Sequence, residues 1–210
     1  AAAFVPPAKR VAVAAAKANR AGKRTQALRC DVQLVQPDDG SVLATGELIT
    51  VPDGRSRLEL VGEEGRDRYL RVGGRLDGTR DGLANAGPLR LPPLHLLQLG
   101  TSGDLQRALS VLGTSGNAIG LGHDDRVDAY VLGTRGSSAL WIDMDELSAA
   151  RIDLPGGTIV RLGKHRSYGS IVWPSSLRIE AEGTELRLDF DSVEPTKVDD
   201  TTFAREWLVR

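Results

Sequence analysis

The chain has 210 residues, with 27 Lys or Arg against 28 Asp or Glu, and 40% of its residues are hydrophobic. This balance excludes a disordered polar chain, and a formal net charge of −1 argues against a nucleic-acid-binding domain, which would be clearly basic. Its one cysteine, Cys30, leaves no internal disulfide and no cysteine zinc site. No stretch reaches the roughly 18 apolar residues of a membrane span, so we expect a globular protein without a transmembrane segment.

Residues 8–24 predict an N-terminal helix, because Pro7 suits the start of a helix and alanine dominates the interior. The face that carries most of the alanines can approach a sheet closely. The opposite arc is basic and could also meet an anionic membrane surface, although the apolar face lacks Trp, Phe and Leu. The residues of that arc are Lys9, Arg10, Lys17, Arg20, Lys23 and Arg24. Residues 1–7 show no signal peptide and are compatible with the mature end that cleavage leaves.

After the helix the pattern changes to strict alternation, which is typical of half-buried strands. Turn signals at 37–40 and 52–54 separate the alternating runs, so we predict a meander of hairpins and therefore an antiparallel sheet. The predicted strands of this first meander are 30–34, 41–51, 57–60, 66–72 and 75–77.

A helical insert is predicted over 92–112, with a start at Pro92 and a second helix capped by Ser102 or Asp104. The strand pattern then resumes over 118–121, 126–132, 139–143, 149–154, 158–162, 168–172, 175–181 and 184–193. Composition never shifts enough to place a boundary. We therefore predict one α+β, β-dominated domain over 1–210, with about ten or more antiparallel strands and two or three helices.

No pattern of catalytic or metal-binding residues emerges. The glycine-rich segments match neither a Walker loop nor a dinucleotide fingerprint, and there is no Gly-x-Ser-x-Gly nucleophile motif. His95 lies in an apolar helical segment, and His165 stands beside Lys164 and Arg166, which disfavour a cation. His123 with Asp124 and Asp125 could supply a metal ligand, but this sequence lies between two strand patterns, where a polar hairpin tip is expected.

Two pairs of carboxylates are spaced two residues apart on predicted strands: Asp143 with Asp145 and Asp189 with Asp191. Each pair would lie on one face of its strand and could build an acid/base site. Alternating charge on a solvent-exposed face explains the pairs as well. We therefore expect no enzyme, no metal and no cofactor.

A long curved sheet around apolar helices can enclose a cavity suited to acyl chains. We expect such a cavity to be lined by Leu48, Leu58, Leu60, Leu94, Leu97, Val131, Trp141 and Trp173. The alternative is that these side chains simply fill the core.

Three segments resemble the LolA-like periplasmic lipoprotein carriers and the wider lipoprotein-sorting superfamily. They are 46–52 with 55–60, 140–143 with 151–152, and 171–179 followed by Gly183 and 193–203. The resemblance implies an unclosed half-barrel whose curved antiparallel sheet is covered by helices and whose cavity receives lipoprotein acyl chains. Val51 stands where the carriers have an arginine that helps to hold the helical lid closed.

The resemblance further implies a non-enzymatic binder or carrier of acyl chains, lipids or lipidated proteins. Such a protein would be periplasmic, or anchored to the bacterial envelope through a segment absent from this chain. Relatives with this architecture also act as envelope sensors or protein-interaction modules, whose partners would include envelope membrane proteins. A filled half-barrel core, with binding through the outer sheet face or the basic helix, is therefore the second expectation.

Overall fold

The computed structural model describes residues 5–84, 91–125, 127–134 and 137–209. The first four residues of the predicted N-terminal segment and Arg126, at the start of a predicted strand, lie outside these ranges. Helix α1 spans Ala8–Ala21 and ends before the predicted residue 24. It stops because Lys23 adopts a φ of +52° and the N–H of Arg24 bonds back to the carbonyl of Asn19, at 3.1 Å.

Among the described residues, twelve strands form one antiparallel sheet and two form a separate hairpin. The strands are β1 (Leu28–Val35), β2 (Val42–Thr50), β3 (Ser56–Gly62), β4 (Gly65–Val72), β5 (Arg75–Arg80), β6 (Ile119–Asp124), β7 (Val127–Gly133), β8 (Ala139–Asp143), β9 (Ala149–Leu154), β10 (Thr158–Leu162), β11 (His165–Tyr168), β12 (Ile171–Pro174), β13 (Ser176–Ala181) and β14 (Thr184–Pro195). The sheet order is β5-β4-β3-β2-β1-β14-β13-β10-β9-β8-β7-β6, so β5 and β6 are its two edges.

The sheet is strongly curved but not closed. Twelve strands spaced ~4.8 Å apart would spread over roughly 50 Å if the sheet were flat. Tyr69 of β4 and Ile142 of β8 nevertheless belong to one hydrophobic core, so the sheet bends around that core. The predicted fold class, an α+β protein with an unclosed, curved antiparallel sheet over helices, is confirmed.

The helical insert lies inside the curve of the sheet. It consists of a 3₁₀ helix, Leu94–Leu97, and helix α2, Ser102–Val111, both within the predicted 92–112. The predicted caps of α2 were wrong, because Thr101 is the cap and its hydroxyl accepts from the N–H of Asp104 at 3.1 Å.

The predicted strand 168–172 was also wrong. Tyr168 ends β11, Gly169 turns the chain with a φ of +58°, and Ile171 begins β12. The resulting hairpin is not part of the main sheet. It lies against its inner face and places Ile171 and Trp173 in the core.

Arg24 does not lie on the exposed basic arc where the helical pattern placed it. The helix has already ended there, and the side chain is 3% exposed with Nε donating to the carbonyl of Val172 at 2.6 Å. Burial lowers the pKa of Arg24 to about 10, so it remains charged at neutral pH. Arg24 therefore joins the end of α1 to the β11–β12 hairpin.

The outer face of β2–β4 is covered by the C-terminal segment, which contains two 3₁₀ helices, Asp200–Phe203 and Arg205–Val209. A second hydrophobic cluster lies there, formed by Ile49, Val51, Leu70, Phe203 and Leu208. The guanidinium groups of Arg57 and Arg68 lie over the ring of Trp207, at 5.1 and 5.3 Å from its centroid. The C-terminal segment thus covers part of the outer face of the sheet, whereas the helices pack against its inner face.

Candidate functional site

The eight side chains predicted to line a cavity are all buried, but they do not lie together. Six belong to the inner core: Leu48, Leu58, Leu60, Leu94, Leu97 and Trp173. Each is at most 2% exposed, and Trp173 packs edge-on against Phe190 with ring centroids 6.1 Å apart. The centre of the half-barrel is therefore occupied by side chains of the protein itself.

Val131 and Trp141 lie on the outer face of the sheet. They pair across β7 and β8, and their strand neighbours Leu132 and Leu140 point into the inner core instead. Successive side chains of a strand point to opposite faces, so the two groups cannot line one cavity. Trp141 lies against Gly122, where a Cβ atom would come within 2.3 Å of its ring.

A polar shell holds Trp141 on that outer face. Its indole N–H donates to the carboxylate of Asp153 at 2.9 Å, and the guanidinium of Arg151 lies 4.4 Å from its ring centroid. Asp124 binds both Arg151 and Arg161. The cleft beside this cluster has a volume of about 130 Å³, below the range of ordinary ligand pockets.

An open groove of about 410 Å³ lies at one end of the half-barrel, beside the turn between β3 and β4. We call it the end groove. Its apolar lining comes from the inner face of five strands: Leu34, Ala44, Leu60, Tyr69 and Leu186, which also pack against the inner core. Its rim is charged, because Arg80 binds the carboxylate of Asp67 at 2.7 Å and that of Glu64 at 3.1 Å.

A larger cleft, of about 670 Å³, lies at the opposite end of β3 and β4. We call it the helix cleft, because α2 forms one wall. The other wall is the turn at Pro52–Gly54 together with the β4–β5 hairpin, whose Gly74 faces Val111 of α2. Arg71 and His95 also line it.

His95 and His165 make the stability of the fold depend on pH. Burial, reinforced by Arg71 near His95 and by Arg24 near His165, lowers the pKa of each imidazole to about 4. Asp53 and Asp143 oppose these shifts only weakly. Both rings are therefore neutral in the folded protein at pH 7.

We expect the free energy of unfolding to fall as the pH drops from about 6.5 to about 4. In that interval the unfolded chain binds protons at both histidines and the folded chain does not, at a cost of roughly 1 kcal/mol or more per pH unit. Urea denaturation at several pH values measures this slope. The double variant His95→Gln/His165→Gln should flatten it and the exposed-site control His123→Gln should not; an unchanged slope in the double variant would refute the assignment.

Among the described residues, no group of three or more His, Cys, Asp and Glu is placed to hold a metal ion. The carboxylate pairs take part in local contacts: Asp143 accepts from the backbone N–H of Asp145 at 2.7 Å, and Asp189 binds the guanidinium of Arg187. None of the helices described is both long and apolar enough to cross a bilayer.

The lining of the end groove escaped the sequence analysis except for Leu60. Its other members are Leu34, Ala44, Tyr69 and Leu186. All lie on the inner face; Leu34, Ala44 and Leu186 are near the ends of their strands, whereas Tyr69 is in the middle of β4. No residue of the described helices lines the groove. The alternation of side chains along the strands assigns these residues to the same face of the sheet as Leu58. It does not show where along each strand the helices stop covering that face.

Comparisons with known proteins identify no family from sequence. No family model matches the chain, and no curated protein matches it.

Solved structures do resemble it over most of its length. A LolA superfamily protein from Nitrosomonas europaea is 13% identical, with 97% of this chain and all of that chain covered and a TM-score of 0.48. A putative outer membrane lipoprotein-sorting protein domain from Vibrio parahaemolyticus is 12% identical, with 95% and 100% covered and a TM-score of 0.43. The MucA/MucB complex of Pseudomonas aeruginosa contains a chain that is 18% identical, with 97% and 62% covered and a TM-score of 0.35. LolA superfamily and lipoprotein-sorting proteins are thus among the solved structures that this chain resembles.

Proposed function

We propose that this protein binds acyl chains, of lipids or of lipidated proteins, outside the cytoplasm and without catalysing a reaction on them. The end groove is the observation that carries this proposal. It is concave, open and lined by apolar side chains of five strands, and its volume of about 410 Å³ lies within the range of small-molecule sites. The location outside the cytoplasm rests on the three sequence segments that resemble periplasmic lipoprotein carriers.

Binding in this groove would depend on burial of hydrocarbon. Each methylene removed from water contributes about 0.8 kcal/mol, so about ten methylene groups beside Leu34, Leu60 and Leu186 would contribute roughly 8 kcal/mol, from which the cost of association is subtracted. The paired charges of Arg80, Asp67 and Glu64 at the rim stay in contact with water. The groove thus holds the apolar part of a ligand and leaves its polar part outside.

The variant Ala44→Phe tests the groove directly. Ala44 lines it, and a phenyl ring there should displace about two methylene groups of a ligand and weaken binding at least tenfold. Fluorescence titration with a fluorescent fatty acid analogue measures the change. Thr45→Phe is the matched control, because Thr45 is the next residue of β2 and lies exposed.

Equal affinity of Ala44→Phe and wild type for the probe would contradict the proposal. Thermal unfolding shows whether Ala44→Phe is folded. If it is not, Leu43→Glu replaces it, because Leu43 lines the same groove and is 44% exposed, so a carboxylate there leaves the core intact.

A second candidate function is supported by the packed centre of the half-barrel. Four leucines of that interior are fully buried, so side chains of the protein itself fill it: Leu48, Leu58, Leu94 and Leu97. A protein-interaction or sensor module needs no internal cavity and would use an outer surface, such as the basic face of α1. Its binding to a partner would weaken steeply with salt, because exposed charges are screened beyond ~10 Å at 0.1 M ionic strength.

A further inference from the structure

The helix cleft contains a buried cation whose charge is not balanced. Arg71 is 8% exposed, and its guanidinium donates through Nε and Nη2 to the backbone carbonyl of Leu91. A carbonyl accepts the hydrogen bonds but supplies no negative charge. Among the described residues, no carboxylate forms an ion pair with Arg71. A buried charge without a counter-ion is costly, so a negative ligand group beside it would be stabilised.

The acids of the cleft do not supply that counter-charge. Asp53 is bound by Arg55, whose Nε and Nη2 lie 2.9 and 2.7 Å from one carboxylate oxygen. Asp104 is bound by Arg107 and by the hydroxyl of Thr101. Each acid at the cleft thus has an arginine of its own, and Arg71 remains as the excess positive charge.

His95 adds a second unsatisfied polar group to the same cleft. Its Nδ1 atom is buried and has no hydrogen-bond partner within the described ranges. Unpaired buried polar atoms are uncommon in folded proteins, and they often mark a place where a ligand or a water binds. The imidazole is neutral at pH 7, so it can donate one hydrogen bond to an oxygen without adding a charge.

The cleft also has apolar lining, on and beside α2. It comes from Leu99, Ala108, Val111 and Leu112, next to the ion pair of Asp104 and Arg107. Val111 is 74% exposed, so its side chain is accessible to a ligand. A cleft of about 670 Å³ therefore combines an uncompensated cation with exposed hydrocarbon.

We propose that the helix cleft binds an amphipathic oxyanion, an alkyl phosphate or alkyl carboxylate, with its head at Arg71 and His95 and its alkyl chain along Val111 and Ala108. This site is separate from the end groove, which lies at the other end of β3 and β4. A ligand there would be recognised by charge as well as by hydrocarbon burial, whereas the end groove selects hydrocarbon alone.

Isothermal titration calorimetry with dodecyl phosphate, below its micelle concentration, tests this site. We expect Arg71→Met to weaken binding at least tenfold, because the head loses its counter-charge. We expect a similar loss for Val111→Asp, which puts a carboxylate on the apolar wall at an exposed position that does not endanger the fold. Ser110→Asp is the matched control, since Ser110 is also exposed on α2 but does not line the cleft.

Three results would overturn the proposal. One is unchanged affinity in Val111→Asp and in Arg71→Met. Another is equally tight binding of uncharged dodecyl maltoside, which would remove the need for the cation. The third is equally tight binding of inorganic phosphate, which would mean that a free oxyanion is the ligand. These titrations are run in the Ala44→Phe background, in which the end groove is blocked, so that dodecyl phosphate reports on the helix cleft alone. The end groove is tested separately by Ala44→Phe against the wild type, so failure at this cleft and failure at the end groove are distinguishable.

Discussion

Replacement of Trp173 by alanine should lower the free energy of unfolding by about 3–5 kcal/mol, as is typical when a large aromatic side chain is removed from a packed core. Trp173 is fully buried on β12 and packs edge-on against Phe190, with the two ring centroids 6.1 Å apart. It also belongs to the hairpin that closes the inner face of the sheet, so the cavity left behind cannot collapse without moving that hairpin. Urea denaturation measures the loss.

Trp173→Phe is the control for that experiment. It keeps an aromatic ring against Phe190, and it removes an indole N–H that has no hydrogen-bond partner in the described structure. We expect this variant to lose clearly less stability than Trp173→Ala. If both variants are as stable as the wild type, Trp173 does not lie in a tightly packed core, and the assignment of a filled half-barrel centre is wrong.

Gly46→Ala adds a single methyl group, and we expect it to be the most destabilising of the glycine-to-alanine changes in the described residues. A Cβ atom at Gly46 would lie 1.7 Å from the carbonyl oxygen of Glu59 on the adjacent strand β3, which is far inside van der Waals contact. The obstacle is backbone of the sheet, so it cannot be relieved by rotation of a side chain. We expect a loss of at least ~3 kcal/mol, at the upper end of the cost of overpacking.

Gly120→Ala provides the comparison on edge strand β6. A Cβ atom there would meet nothing within 4 Å, and alanine reduces the conformational freedom of the unfolded chain. Thermal unfolding of the two variants should separate them by roughly 6–12 °C or more, since 1 kcal/mol corresponds to ~2–4 °C in a chain of this size. Similar melting temperatures would show that β2 and β3 do not approach as closely as the structure places them.

The alternation of side chains was enough to predict the sheet and its antiparallel order, because hairpin turns and period-two patterns are local. The helical period of α1 likewise predicted that its alanine face can approach the sheet, and Ala12 and Ala15 of that face lie in the inner core. Alternation could not decide which of two buried faces a strand residue occupies when both faces are covered. β8 illustrates this, because Leu140 faces the inner core while Trp141 is equally buried on the outer side.

Two other features depend on contacts between distant parts of the chain. Arg24 is buried only because α1 ends at Ala21 and the hairpin β11–β12 places the carbonyl of Val172 beside it. Residues 199–209 could not be placed on the outer face from sequence, since the surface that Phe203, Trp207 and Leu208 cover is set by contacts with the distant strands β2–β4. The end groove was missed for a related reason: its lining depends on how far the helices extend over the sheet.

The most direct test of acyl-chain binding is native mass spectrometry of the purified protein, followed by organic extraction of what co-purifies. We expect additional mass that corresponds to fatty acid or phospholipid, which a fluorescent acyl probe displaces and which is reduced in Ala44→Phe but not in Thr45→Phe. A protein that purifies empty and does not bind the probe would contradict the proposal. The half-barrel would then be a filled scaffold whose function lies on its outer surface.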